Sequence, residues 1–104
     1  MIKRIVKMTF QPDKVDEFLT VFDQSKKMIR DFPGCNYMEL LRDKADQHVL
    51  FTVSVWDSVD SLDQYRNSEF FEATWTKTRA LFLEKAEAWS LDVQDSPKDQ
   101  EETP

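Results

Sequence analysis

Residues 48–56, with the sequence HVLFTVSVW, alternate between two kinds of side chain, and this alternation constrains the fold more than any other segment. Successive side chains of a β-strand point to opposite faces, so the pattern predicts a strand with two unlike faces. The wholly apolar face carries Val49, Phe51, Val53 and Val55. The mixed face carries His48, Leu50, Thr52, Ser54 and Trp56. A large indole beside small polar side chains suits a pocket beneath helices, which leaves the apolar face on the side without helices.

Signals for three further strands and three helices surround this segment. Alternating or β-branched runs predict strands at residues 2–10, 35–41 and 85–93. Amphipathic spacing predicts helices over residues 14–30, from residue 58 to 65, and after Ser68. The last of these carries a stripe of Phe71, Thr74, Trp75, Thr78 and Phe82. Asp13, Ser68 and either Asp57 or Ser58 are expected to cap the helices, because short polar side chains accept hydrogen bonds from free helical N–H groups.

The order of these elements is β-α-β-β-α-β. Only about six polar residues separate the second and third strands, so these two strands form an antiparallel hairpin. The order predicts an α+β, ferredoxin-like fold, in which a four-stranded antiparallel sheet carries its helices on one face. A contiguous apolar strand face is unusual in contact with water. The sequence therefore predicts a homodimer that packs through the helix-free sheet face.

Three residue types occur once each, as Gly34, Cys35 and His48, and their scarcity excludes several kinds of site. A phosphate-binding loop needs several glycines, a zinc site needs three or four suitable ligands, and an intrachain disulfide needs two cysteines. We therefore expect no metal and no cofactor. The formal net charge of −6 disfavours nucleic acid as a partner.

The ends of the chain and its hydropathy indicate where the protein works. No run of about 18 apolar residues is present, so no membrane helix and no membrane partner are expected, and the N-terminus lacks a signal-peptide pattern. These features predict a cytoplasmic protein. Residues 94–104 are acidic and contain no aromatic residue, which predicts a disordered tail after one domain over residues 1–93.

Several short motifs follow one another at defined spacing. They are the strand at 2–10, PDKVDEF at 12–18, FPGC at 32–35, VSVW at 53–56 and SEFF at 68–71. This pattern resembles the antibiotic biosynthesis monooxygenase (ABM) domain over about residues 2–93. The resemblance implies a dimeric α+β barrel, which agrees with the dimer predicted from the apolar strand face.

The resemblance implies one of several activities. Some members of the family oxidise phenolic polyketides or quinols with O₂ and no cofactor, others degrade haem, and others have no known activity. The haem-degrading members use an Asn on the first strand, a Trp at the end of the third and a His on the last helix. Trp56 matches the Trp, but the first strand has no Asn near Lys7, and Trp75 stands at the position of the His. An indole cannot ligate iron, so the resemblance disfavours haem degradation.

The sequence and the resemblance together favour a cofactor-independent monooxygenase that oxidises a small aromatic phenol or quinol with O₂. The alternative is a non-catalytic dimeric small-molecule-binding or stress-response module that uses the same pocket. The candidate catalytic residues are Trp56, Tyr65 and Arg79, with Tyr65 or Arg79 near the substrate oxygen. The candidate substrate-binding residues are Tyr37, Thr52, Ser54, Phe71 and Trp75. His48 is expected to be a strand-end residue rather than a base, and Cys35 a protonated thiol.

Overall fold

Four strands and three helices occur in the predicted order. A computed structural model describes residues 1–97. The strands are β1 (Ile2–Phe10), β2 (Cys35–Arg42), β3 (Val49–Trp56) and β4 (Phe82–Asp92), and the helices are α1 (Val15–Arg30), α2 (Val59–Arg66) and α3 (Glu69–Arg79). The strands form one antiparallel sheet in the order β2-β3-β1-β4. The predicted α+β, ferredoxin-like fold is confirmed.

The structure bears on the predictions about a membrane helix and an acidic tail only over residues 1–97. No helix within residues 1–97 is long and apolar enough to cross a membrane. Residues 93–97 follow β4 without regular secondary structure. Residues 98–104, which carry most of the predicted acidic tail, lie outside the described residues, so the tail and the boundary at residue 93 stay predictions.

Serine side chains cap two of the helices, as their positions predict. Ser58 Oγ accepts a hydrogen bond from the N–H of Ser61 at 3.2 Å, and Ser68 Oγ accepts one from Phe71 at 3.1 Å. The prediction that Asp13 caps α1 is wrong. A short 3₁₀ helix, Pro12–Lys14, precedes α1, and no side chain of the described residues caps either element. Proline is suited to the first position of a helical turn, so the turn begins at Pro12 and Asp13 lies inside it.

Phe82 was expected on the α3 stripe, but it is the first residue of β4. Helix α3 ends at Arg79, and the N–H of Leu81 closes its last turn by donating to Thr78 at 3.0 Å. Leu81 is buried, and Phe82 then pairs with Phe10 of β1, with their rings 5.3 Å apart. Sheet pairing and this aromatic contact therefore start β4 three residues before the predicted strand.

Gly34 fixes the approach of α2 to the start of β2. It has φ of 90°, a conformation that side chains with a Cβ rarely adopt. A Cβ on Gly34 would also collide with the side chain of Ser61 on α2. The Gly34 carbonyl accepts a hydrogen bond from the N–H of Asp57 at 2.9 Å. The only glycine of the chain thus stands in the turn before β2, where the side chain of Ser61 on α2 leaves no room for a Cβ.

The helix-covered face of the sheet is filled at both ends but not in the middle. One buried cluster contains Met8, Phe10, Val15, Phe18, Leu50 and Leu81. A second buried cluster contains Ile2, Trp56 and Leu62. Between them, β1 presents Arg4 and Val6, and β3 presents Thr52 and Ser54 opposite these two residues. Because these middle side chains do not close the space beneath the helices, a cavity lies there.

Within residues 1–97, no helix lies over the opposite face of the sheet. The register places Val53 beside Ile5 of β1 and Glu39 of β2 on this face, and Phe51 beside Lys7 and Leu41. Large apolar side chains on its strands are exposed, namely Tyr37, Leu41, Trp89 and Leu91. The predicted alternation of β3 is therefore confirmed, and the side chains of its wholly apolar face lie on the helix-free side.

Candidate active site

The candidate site is the cavity between the sheet and the three helices, with a volume of about 320 Å³. This is at the lower end of the range for small-molecule pockets, and most of its wall is apolar, as is usual for such pockets. The wall includes Val6, Met8 and Met38 from the sheet and Val21, Ile29 and Leu62 from the helices. A cavity of this size accommodates a ligand of one or two fused rings.

A continuous series of aromatic contacts runs along the cavity. The ring of Trp56 stacks on Tyr65 with centroids 4.8 Å apart, and Tyr65 meets the edge of Phe71 at 5.0 Å. Phe71 stacks on Trp75 at 5.9 Å with the two rings 9° from parallel. These four residues come from β3, α2 and α3, and all of them line the cavity. The aromatic wall therefore ties three separate elements together while it offers flat apolar surface to a ligand.

Trp56 is 1% exposed and is held in place by its neighbour two residues earlier. Its indole N–H donates to Ser54 Oγ at 2.9 Å, so the one polar atom of the side chain is satisfied. Ser54 is itself buried. A hydroxyl can donate one hydrogen bond while it accepts another, so the Ser54 O–H stays available to point into the cavity.

Three further hydroxyl groups of the wall are available to a ligand. The hydroxyls of Thr52, Tyr65 and Thr74 have no hydrogen-bond partner among residues 1–97, whereas Ser25 and Thr78 donate to carbonyls of their own helices. Burial raises the pKa of the Tyr65 phenol well above its usual value, and the nearby Cys35 thiol adds to the rise. Tyr65 is therefore a neutral hydrogen-bond donor at any physiological pH.

Arg4 and Arg66 are the charged residues in the wall that residues 1–97 form. Arg4 Nη1 donates to Ser90 Oγ on β4 at 2.8 Å, and β4 pairs with β1 at this position. Burial lowers the pKa of Arg4 from its usual value, and the positive charge of Arg66 lowers it further. Arg66 is exposed, so the cavity opens to solvent on its side.

The structure brings together most of the predicted site residues. Lining the cavity are Thr52, Ser54, Trp56, Tyr65, Phe71 and Trp75. Tyr37 and Arg79 do not line it. Tyr37 pairs with Val55 on the helix-free face, where its hydroxyl donates to Glu39 at 2.7 Å. Arg79 is exposed at the last position of α3.

His48 and Cys35 are also outside the cavity wall. His48 precedes β3, and its ring faces Asp46, with 3.9 Å between Nδ1 and the carboxylate. Cys35 is partly buried, and burial raises the pKa of its thiol. The described wall of the cavity thus contains no side chain with an ordinary pKa near neutrality.

Sequence reasoning missed Arg4 and Arg66. A signal for Arg4 was present, because it interrupts the parity otherwise occupied by Ile2, Val6, Met8 and Phe10 on strand β1. A charge on the apolar face of a strand points to a lined cavity or a buried ion pair. Arg66 had no comparable signal, since basic residues are common in the last turn of any helix.

Comparison with known proteins places this geometry in a family. The sequence profile of the antibiotic biosynthesis monooxygenase family matches residues 1–77. The chain belongs to the antibiotic biosynthesis monooxygenase family. No curated protein sequence matches it.

Several solved structures share the fold of this chain. A crystal structure of an antibiotic biosynthesis monooxygenase is 20% identical, with a TM-score of 0.85 over 91% of this chain and 100% of that one. Rv0793 from Mycobacterium tuberculosis is 20% identical, with a TM-score of 0.84 over 91% and 96% of the two chains. A variant of SnoaB, a cofactor-independent oxygenase from Streptomyces nogalater, is 20% identical, with a TM-score of 0.81 over 91% and 94%. At these identities the likeness shows the fold alone.

The bond between Trp56 and Ser54 leads to a stability prediction. Ser54→Ala leaves the buried indole N–H without a partner, which costs about 1–3 kcal/mol. For a domain of this size, each kcal/mol lowers the melting temperature by about 4–8 °C. Thermal unfolding followed by circular dichroism measures the change.

Thr52→Val is the matched control on the same strand face, because it removes a hydroxyl that bonds to no described residue. We expect its melting temperature to stay within a few degrees of the unaltered ABM protein, on the order of 0.5 kcal/mol. Equal losses in the two variants would contradict the role given to Ser54.

Proposed function

We propose that this ABM protein is a cofactor-independent monooxygenase that oxidises a small aromatic phenol or quinol with O₂. The observation that carries the proposal is the aromatic-walled cavity whose free hydroxyls and arginines face an otherwise apolar space. Membership of the family supports an oxygenase. SnoaB, which is described as a cofactor-independent oxygenase, has the same fold.

In this reaction the substrate itself reduces O₂. A quinol anion passes an electron to O₂, a C–O bond then forms at a ring carbon, and the O–O bond breaks. One oxygen atom stays in the product, the other leaves as water, and the substrate supplies all the electrons. For 1,4-dihydroxynaphthalene the products are a hydroxynaphthoquinone and water. The protein has to bind the ring, stabilise the anion and exclude water, which needs no catalytic acid or base.

The residues of the cavity suit these three tasks. Trp56, Phe71 and Trp75 hold the flat ring and keep water away from it. Tyr65 stays protonated and donates a hydrogen bond to the substrate oxygen, which is stronger when that oxygen is an anion. We give the role of stabilising negative charge on the ligand to Arg4 rather than to Arg79, because Arg4 lines the cavity.

Oxygen consumption tests the proposal directly. We expect 1,4-dihydroxynaphthalene and related hydroxyquinols to consume O₂ faster with the protein than in buffer, and ¹⁸O₂ to place one labelled atom in the product. Rates equal to buffer for the whole panel would overturn the proposal. Thermal stabilisation by these compounds without turnover would instead support the binding-module alternative.

The hydroxyl of Tyr65 gives the second prediction. Tyr65→Phe keeps the ring in the aromatic series and removes one hydrogen bond to a charged oxygen. We expect kcat/KM to fall roughly tenfold or more while the melting temperature changes little. Tyr37→Phe is the matched control, since its hydroxyl lies on the helix-free face and bonds to Glu39. A Tyr37 variant that loses as much activity as the Tyr65 variant would move the site to the other face.

The dependence of the rate on pH gives the third prediction. Tyr65 has a raised pKa and stays protonated, and the described wall has no His, Asp or Glu, so ionisation of the substrate controls the rate. The rate of O₂ consumption should rise with pH through the pKa of the substrate and level off above it. Two quinols with different pKa values should give profiles displaced by the same amount. Coincident profiles would reveal a protein base instead.

The helix-free face supports the proposal that two copies pack sheet to sheet. The family is typically dimeric, and the apolar residues Tyr37, Leu41, Trp89 and Leu91 are between 43% and 50% exposed on a single chain. A carboxylate at the centre of this face should separate the copies, because burying an unpaired charge is costly.

Val53→Glu therefore should convert a dimer into a monomer of 12.3 kDa in sedimentation equilibrium at micromolar concentration. Thr20→Glu on the exposed side of α1 adds the same charge elsewhere and should leave the dimer intact. An unaltered protein that sediments as a monomer would contradict the proposed packing.

A further inference from the structure

The cavity concentrates positive charge in a chain that is acidic overall. The sequence has 20 acidic and 14 basic residues, yet the part of the cavity wall formed by residues 1–97 contains Arg4 and Arg66 and no Asp or Glu. Neither arginine forms an ion pair with a carboxylate of residues 1–97. The two arginines line an apolar space with no carboxylate of residues 1–97 paired to them, so a negatively charged ligand would balance their charge.

Neighbouring residues position Arg4 without neutralising it. The register places Arg4 between Ser54 of β3 and Ser90 of β4. Ser90 Oγ accepts one hydrogen bond from the Arg4 guanidinium, and a guanidinium has further N–H groups to donate. The side chain is therefore held across the sheet while its charge faces the cavity.

The two arginines also oppose each other electrostatically. The pKa of Arg4 is lowered by burial and by the charge of Arg66, and both effects disfavour the cation. An anion between the two guanidinium groups would relieve this repulsion. Arg66 is at the last position of α2, next to Tyr65, and it is exposed, so such an anion would stay partly hydrated. Partial hydration lowers the cost of placing a permanent charge there.

We propose that the cavity takes aromatic ligands that carry a carboxylate, held by Arg4 and Arg66 at the mouth while the ring lies between Trp56 and Trp75. A carboxylate matches the planar donor geometry of guanidinium groups, and it is ionised at neutral pH, whereas a simple phenol is neutral there. The inference deepens the proposed function, since it names the substituent that distinguishes substrates of the same cavity.

Binding of naphthalene probes in solution without O₂ tests the inference separately from catalysis. Titration calorimetry would compare 2-naphthoate, 2-naphthamide and 2-naphthol at pH 7. These probes share the ring and differ in the charge and acidity of one substituent. We expect 2-naphthoate to bind about tenfold tighter or more than either neutral probe. Equal affinity for the three probes would overturn the inference, and so would 2-naphthol binding as tightly as 2-naphthoate.

Charge-removing variants locate the anion. Arg4→Gln and Arg66→Gln should each reduce the preference for 2-naphthoate over 2-naphthamide roughly tenfold, with affinity for the amide almost unchanged. Lys77→Gln removes the same charge from the exposed side of α3 and should leave the preference intact. Circular dichroism confirms folding, and Arg66→Gln, on an exposed residue, decides the outcome if Arg4→Gln does not fold. A preference that survives in both variants would overturn the assignment.

The outcomes separate this inference from the proposed function. Preferential binding of 2-naphthoate together with no O₂ consumption from any hydroxyquinol leaves the arginine site standing and removes the oxygenase. Oxygenation of 1,4-dihydroxynaphthalene without preferential binding of 2-naphthoate leaves the oxygenase standing and removes the arginine site.

Discussion

The rest of the structure depends on the middle of the helix-covered sheet face, where the side chains do not fill the space beneath the helices. The ends of this face carry Ile2 and Trp56 on one side and Met8 and Leu50 on the other, all buried. Between them the paired positions hold Arg4 with Ser54 and Val6 with Thr52. Protein interiors normally pack to uniform density, so an unfilled middle needs support from its rim. The stacked rings of Trp56 and Tyr65 supply part of that support, because they join the sheet to α2 across the gap.

The local pattern of the sequence predicts the faces of the strands but not every residue at the site. Alternation in residues 48–56 correctly placed Thr52, Ser54 and Trp56 under the helices, because a strand has a strict period of two. Tyr37 lies outside the cavity because the parity of β2 depends on its pairing with β3, which puts Met38 rather than Tyr37 on the cavity face. Such a register depends on how the strands pair in the folded protein, and the sequence of β2 alone does not determine it.

The helix side of the cavity was harder to predict for a similar reason. The stripe that contains Phe71 and Trp75 was correct, but its extension to Phe82 ignored the pairing of that residue with Phe10. Arg79 and Arg66 both stand in the last turn of a helix, and only the packing of α2 and α3 decides which of them reaches the cavity. Gly34 contributes to that decision, because its missing side chain lets α2 approach the turn before β2.

Electrostatics and sheet geometry together determine what chemistry is open to the molecule. One face of the sheet lines the cavity and the other is the helix-free face, and alternate residues along each strand belong to these two faces. On β1, Ile5 belongs to the helix-free face while its neighbour Arg4 belongs to the cavity. In the cavity, the raised pKa of the Tyr65 phenol keeps it protonated and able to donate a hydrogen bond, and Arg4 and Arg66 line the wall. A site of this composition favours a reaction whose reactive species is already an anion. Under the proposed function, the protein would hold that anion beside a flat aromatic surface and away from water, as direct reduction of O₂ by the substrate requires.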